Sequence, residues 1–165
     1  MTELNLFEIR QQELPASKRN LRAWLGLLGC FTSMERGIRR RLIDRFDTTL
    51  PRFDILTALA SFPDGLSMSG LARLLMVSNG NVTGVVRRLK QEKLVQTRVL
   101  ESDKRTQFVT LTPKGRTEWQ RMNQAYEDLI DQILNDLSEG ELDSLIDRLD
   151  KVQKCIDESP ALEQS

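Results

Sequence analysis

Asn79, Asn81, Thr83, Arg87 and Arg88 fall in one short segment, interleaved with Gly80 and Gly84. Their chemistry is that of hydrogen-bonded recognition. An Asn amide pairs in two-pronged fashion with an adenine edge, and an Arg guanidinium with guanine O6/N7 or with phosphate oxygens. Ser67, Ser69 and Ser78 lie upstream, and Lys104 and Arg105 downstream, adding hydroxyl groups and cations. Groups for turnover are missing. The chain has no His to act as a base near neutrality, and no GxSxG, GxGxxG or P-loop spacing occurs. Its carboxylates are numerous but have basic neighbours, the pattern of solvated helix faces. With no His and two distant cysteines, a tetrahedral zinc site has no ligand set. These features predict a binding protein that is not an enzyme and needs no cofactor.

The elements that must hold these residues are legible. Ser67 and Ser78 are N-cap types standing before apolar-periodic runs, which predicts helices over Ser67–Met76 and Ser78–Lys93. In the second, Val82, Val85, Val86 and Leu89 recur at helical spacing and make one buried stripe. The opposite face then carries Gly80, Thr83, Gly84, Arg87, Arg88 and Gln91. Glycine costs up to about 1 kcal/mol inside a helix, so two on an exposed face call for a reason, and close approach to a DNA backbone is one. Beyond Lys93 the period changes to two. Val95, Thr97 and Val99, then Gln107, Val109 and Leu111, read as two strands around a tip at Glu101-Ser102-Asp103-Lys104-Arg105. A basic tip suits the negative potential of a narrow minor groove. Helix, helix and charged hairpin in this order form a winged helix-turn-helix, whose partner is double-stranded DNA.

Charge supports the same partner. Formal net charge is zero over 165 residues, yet residues 1–66 carry +2, residues 67–116 carry +7 and residues 117–165 carry −9. The basic third coincides with the predicted winged helix, the footprint expected of a phosphate-binding surface. The acidic third is expected to face away from DNA. Hydrophobic residues make up 39% and charged residues 29% of the chain, which suits a soluble globular protein, and no apolar run approaches a membrane span. Early acids and the lack of a basic n-region predict no secretory signal. Cys30 and Cys155, with no CxxC, suggest a reducing cytoplasm.

Leu66–Gly115 resembles the DNA-binding lobe of the MarR family of bacterial transcriptional regulators. The similarity rests on Leu66-Ser67-Met68-Ser69-Gly70-Leu71-Ala72, Val77-Ser78-Asn79-Gly80-Asn81-Val82-Thr83, the wing Asp103-Lys104-Arg105 and the exit Leu111-Thr112-Pro113-Lys114-Gly115-Arg116. The family's wing commonly reads Asp-Arg-Arg. Lys104 keeps the charge and loses the guanidinium fork, which leaves Arg105 as the main minor-groove residue. The order of elements follows the family from about Leu21 to Leu149.

The expected fold is therefore mainly α with a small β-hairpin wing, the winged helix-turn-helix lobe lying between long N- and C-terminal dimerisation helices. The corresponding segments are an extension over 1–17, an N-terminal dimerisation helix within 18–50, the lobe over 51–111, C-terminal dimerisation helices over 112–158 and a tail over 159–165. Leu21–Phe46 reads as one long helix and Arg52–Phe62 as a short one closed by Phe62-Pro63-Asp64-Gly65. Thr112-Pro113 opens another helix. Trp119, Met122, Tyr126, Leu129, Ile133 and Leu137 then run close to a coiled-coil seam. Ser138 and Glu141 form a capping box before a stripe of Leu142, Leu145, Ile146, Leu149, Val152 and Ile156. Interlocking of these helices between two protomers would give a homodimer that reads a pseudo-palindromic operator. The competing reading is that both stripes fold back on the monomer's own core.

The resemblance also implies a small-molecule effector, commonly aromatic, and a repressor released by it. Arg39-Arg40-Arg41-Leu42 and Thr48-Thr49-Leu50-Pro51-Arg52-Phe53-Asp54 resemble regulators of aromatic-acid catabolism, some of which sense hydroxycinnamoyl-CoA thioesters. Arg36 and Arg40 share a helix face and could receive a carboxylate or phosphate, whereas Arg39 has Glu35 one turn away as an ion-pair partner. Trp24, Phe31, Met34 and Phe53 could wall an aromatic pocket, although such residues are more often plain core. A redox-responsive regulator acting through Cys30 is an alternative. Against it, the flanking Leu27, Leu28 and Phe31 make an apolar setting expected to leave the thiol inert. A winged helix that binds a protein partner is a further alternative, disfavoured by the basic segment and the polar recognition face.

Overall fold

Side-chain chemistry at the element boundaries sets the chain's course. The computed structural model describes Phe7, residues 14–100 and residues 103–159, with Val99, Leu100 and residues 103–106 as backbone. Most of the proposed extension over 1–17, and all of the tail over 159–165 except Ser159, thus lie outside the described residues. α1 (Arg19–Phe46) ends where Asp47 turns into the left-handed region at φ 47°. α2 (Leu50–Ser61) follows, with Pro51 in its first turn, where a missing N–H costs nothing. α2 starts two residues before the predicted Arg52.

The turn after α2 closes on Gly65 at φ 87°, where a Cβ would stand 2.5 Å from the Val109 carbonyl oxygen. Only glycine fits. β1 (Leu66–Ser67) then pairs with β3 (Asp103–Leu111), Leu66 opposite Val109 and Ser67 opposite Phe108, while β2 (Val95–Leu100) pairs with the other edge of β3, Val95 opposite Leu111. The sheet order is β1-β3-β2, all antiparallel. α3 (Met68–Leu74) and α4 (Asn79–Gln91) lie between β1 and β2. One correction falls on the wing. The hairpin tip was expected at 101–105, but β3 already begins at Asp103, which pairs with Leu100, so Lys104 and Arg105 belong to strand backbone.

α5 (Pro113–Leu134) is capped as its sequence suggests, the Thr112 hydroxyl oxygen accepting from Gly115 N–H at 3.0 Å. The same hydroxyl donates to the Lys93 carbonyl at 2.7 Å. At Gly115 a Cβ would sit 1.9 Å from the Leu94 carbonyl oxygen, so the first turn of α5 lies directly on the chain entering β2. α6 (Glu139–Asp157) begins at the predicted capping box, with Ser138 N–H donating to the Glu141 carboxylate at 2.9 Å.

The chain divides into two compact units, one reaching to Tyr126 and the other beginning at Glu127. The core of the first is built from Leu42, Phe53, Ile55, Leu56 and Leu59 against Leu71, Val82, Val86, Leu89, Val95, Val109 and Met122. This overturns part of the seam reading. Met122 is buried in that core, the Trp119 indole N–H donates to the Thr57 hydroxyl at 3.1 Å, and the Tyr126 ring lies 5.5 Å from that of Phe53. These three residues serve the lobe itself. In the second unit Ile133, Leu137, Leu145, Ile146, Leu149, Val152 and Ile156 are exposed. Among the described residues no helix is long and apolar enough to cross a membrane.

The turn between α3 and α4 holds Met76 at φ 54° with its side chain 93% exposed. A left-handed conformation costs a non-glycine residue roughly 1–2 kcal/mol, and here no packing compensates. Met76→Gly should raise stability by about 0.5–1 kcal/mol, part of the relief being lost to the freer unfolded chain, as read from the urea midpoint at unchanged slope.

Candidate nucleic-acid interface

Burial of Val82, Val86 and Leu89, with Val85 partly buried, fixes the rotation of α4 about its axis. The opposite side is left exposed at Asn79, Gly80, Asn81, Thr83, Arg87, Arg88 and Gln91. Ser78 is the N-cap, its hydroxyl oxygen 3.4 Å from Asn81 N–H, and the Thr83 hydroxyl donates to the Asn79 carbonyl at 2.8 Å. At Gly80 and Gly84 an added Cβ would meet nothing within 4 Å. No intramolecular packing therefore requires glycine at either position. Ser67 caps α3, accepting from Gly70 N–H at 3.1 Å, with the exposed Ser69 hydroxyl 3.1 Å from its own. Arg98 of β2 donates to the Asp64 carbonyl at 2.8 Å, which ties the wing to the turn before β1.

The C-terminal end of α4 is clamped from outside. Arg52 of α2 makes a two-pronged ion pair with Glu92, one contact at 2.7 Å, while its Nε donates to Thr48. Lys114 donates to the Glu92 carbonyl at 3.0 Å, and Lys90 to the Thr97 hydroxyl at 2.9 Å. The hydrogen bonds from Arg52 hold the Glu92 carboxyl below its ordinary range, and the same bonds raise Arg52. The sequence reading missed this clamp because Arg52 and Glu92 are far apart along the chain.

The remaining candidates are dispersed. Lys104 and Arg105 have side chains outside the described residues. Trp24 and Phe31 stand exposed on α1, Met34 is half-buried, and Arg36 and Arg40 are exposed one turn apart. Phe53 lies in the lobe core against Tyr126, so it does not share a surface with Trp24 and Phe31. Arg39 pairs with Glu35 at 2.8 Å, as expected. Cys30 is exposed, not sunk among apolar neighbours, because the adjacent Trp24, Leu27 and Phe31 are themselves exposed on α1. One further group stands out only in the structure. Asp54, an acid inside the otherwise apolar run Phe53–Leu56, is half-buried, and its carboxyl is pushed up to about 6 by burial and by Glu35, against the opposing pull of Arg39.

The MarR family model matches residues 46–106, from the end of α1 to the start of β3. The transcriptional activatory protein BadR of Rhodopseudomonas palustris is 33% identical over 125 residues, 71% of each chain. The chain belongs to the MarR family. A MarR family regulator from Silicibacter pomeroyi superposes with a TM-score of 0.70 at 28% identity, covering 87% of this chain and 99% of that one. The Staphylococcus aureus MepR–DNA complex superposes with a TM-score of 0.67 at 22% identity over 86% and 98%. Family membership places the chain among transcriptional regulators rather than enzymes, and α4 is the second helix of the helix-turn-helix.

In this MarR-family chain the Arg52–Glu92 clamp should respond to acid. Glu92 is stabilised as the carboxylate in the folded state, so its contribution is full above the unfolded glutamate value of about 4.3 and is lost as pH falls through the lower folded value. With Glu92 partly exposed, Glu92→Gln should cost about 0.5–1 kcal/mol at pH 7. The difference from the parent should begin to shrink in urea melts as pH falls below about 4.3 and disappear only below the depressed folded value.

Proposed function

We propose that this chain is a homodimeric, ligand-responsive regulator that reads a pseudo-palindromic operator in double-stranded DNA through α4 and the wing. The observation that carries the reading is the outward face of α4. Its rotation is fixed by the core, and its two glycines leave open space beside Asn79, Thr83, Arg87 and Arg88. In a major groove Asn79 and Asn81 would address adenine edges, and Arg87 and Arg88 guanine or phosphate. Ser67, Ser69 and Ser78 would contribute hydroxyl contacts near the phosphates. Arg105 would enter the minor groove, with Lys104 on a phosphate.

Dimerisation is supported by apolar side chains that each unit leaves in solvent: Leu21, Trp24, Leu27 and Phe31 in the first, and Ile146, Leu149, Val152 and Ile156 in the second. Monomers rarely expose such contiguous stripes without a partner. Two α4 helices about one helical turn of DNA apart would match the operator's two-fold symmetry. The effector reading rests on resemblance to regulators of aromatic-acid catabolism, with the exposed Arg36/Arg40 pair available to a carboxylate or CoA phosphate. Whether such a regulator represses or activates depends on where its operator lies relative to the promoter. Release of a repressor by an aromatic acid or its thioester fits the resemblance, whereas BadR is named an activatory protein. A regulator acting on chromosomal DNA works in the cytoplasm.

The deciding experiment is fluorescence anisotropy on the DNA upstream of the chain's own gene, at 50 and 200 mM salt, with and without a hydroxycinnamic acid and its CoA thioester. Affinity should fall about 10³-fold between the two salts if six phosphates are contacted, and the thioester should release the complex. Absence of binding to this or random duplex would shift the reading to a protein-binding winged helix. Arg105→Ala should weaken binding and leave the dimer intact on a sizing column; unchanged affinity would remove the wing from recognition.

The glycines allow a sharper check. Gly84→Ala should stabilise the protein by about 0.5–1 kcal/mol, as helix propensity dictates, and weaken operator binding about tenfold. A stabilised variant with parental affinity would mean that DNA does not approach α4 at this point.

A further inference from the structure

A cavity of about 490 Å³ lies within the first unit, between the middle of α1, the start of α2 and the helix-turn-helix. Leu50, Pro51 and Ile55 line it from α2, Leu75 and Val77 from the turn, and Val82 and Val85 from α4, with Asn81 at its edge. Its charged lining is Glu35 and Arg39 of α1 and Asp54 of α2. Glu35 and Arg39 neutralise one another at 2.8 Å. The Asp54 carboxylate makes no hydrogen bond or ion pair among the described residues; Arg39 attracts it without pairing to it, and the three charges together leave the cavity with a net negative charge against apolar walls. Size and lining are those of a small-molecule site, mostly apolar with a few polar groups that fix orientation. A carboxylic acid placed there would meet a like charge, and a purely apolar guest would leave the half-buried carboxylate unanswered.

We propose that this cavity binds a small arylalkylamine, its ring against Ile55, Val82 and Val85 and its ammonium on Asp54, and that occupancy alters DNA binding. The second half rests on the reading of α4 as the DNA-contacting helix, since Val82, Val85 and Asn81 belong to α4 and a guest bears directly on its N-terminal half. The site is separate from the Arg36/Arg40 pair, neither of which lines the cavity, and it selects the opposite charge.

Proton linkage follows from the same geometry. The groups facing Asp54 are Glu35 and Arg39; the α2, turn and α4 walls add only apolar side chains and Asn81. The amine needs the ionised carboxylate, and the carboxyl is pushed up to about 6. Affinity is therefore full above that value and falls as pH drops through it. The same raised value means that the folded state holds the proton more tightly than the unfolded chain. Asp54 therefore lowers stability as pH rises from about 4 to about 6, and Asp54→Asn is at least as stable as the parent above pH 6. Loss of ligand binding in that variant cannot then be ascribed to misfolding.

The test is isothermal titration calorimetry of the full chain, without DNA, against phenethylamine and against phenylacetate, its closest anionic counterpart. At pH 7.5 the amine should bind at least tenfold more tightly than the acid, and Asp54→Asn should lose that preference with an unchanged or higher Tm. Between pH 7.5 and pH 5 amine affinity should fall about tenfold. Equal binding of both compounds, absence of amine binding, or full binding by Asp54→Asn overturns the site. Operator anisotropy in the presence of the amine tests the coupling: a shifted midpoint supports it, and an unmoved midpoint with the amine bound overturns it. Failure of the protein to bind any duplex would refute the DNA reading beneath the coupling, while the calorimetry decides the site independently.

Discussion

The recognition geometry depends on one packing event, the burial of the Val82–Val86–Leu89 side of α4 among Leu56, Leu59, Leu71 and Val109. A helix carries its side chains every 100°, so seating one stripe determines where every other residue points. Apolar packing is non-directional, and neighbours must supply what it lacks in angular definition. At the N-terminal end Ser78 caps the helix; at the C-terminal end Arg52, Lys114 and Thr97 hold Glu92 and Lys90. The outer face is thus positioned without contributing to its own placement, which leaves its residue types free to answer an external partner.

Close backbone contacts complete the frame. The first turn of α5 rests on Leu94 with no room for a Cβ at Gly115, and the α2–β1 turn rests on Val109 with none at Gly65. The helix-turn-helix is held between these two contacts. β1 carries only two residues, yet it joins the turn after α2 to the central strand of the sheet, so helices and wing form one body.

Much of this was legible in the sequence, and the exceptions have physical causes. The α3–α4 pair, both serine caps, the capping box of α6 and the Glu35–Arg39 pair could be read because each is local: a cap, a period or an i,i+4 spacing. β1 could not, since two residues have no periodicity and their partners Phe108 and Val109 lie far along the chain. The Trp119–Tyr126 stripe was visible as an apolar face, but spacing does not say which surface a face meets; Thr57 and Phe53 decide that. The length of the wing tip is not legible either, because Asp103, Lys104 and Arg105 have the composition of a turn while the register is fixed by pairing across the hairpin. An aromatic type alone does not distinguish a ligand wall from core at Phe53; its buried neighbours in α2 place it in the core. Residue type alone does not assemble an aromatic pocket, and an acid in an apolar run such as Asp54 is conspicuous only once the space around it is known.

The ion pairs Arg39–Glu35, Arg52–Glu92, Arg98–Asp64 and Arg121–Glu118 each have at least one partner substantially open to solvent, while the buried core of the described residues is apolar apart from Thr48 and Thr110. Added salt screens the former and leaves the latter untouched, and salting-out anions strengthen apolar burial. The adhesive part of the molecule is thus electrostatic and the cohesive part mainly apolar. Conditions that strip such a protein from a polyanion therefore return it folded, and ionic strength can set its occupancy of DNA while drawing only on the small contribution of surface pairs such as Arg52–Glu92.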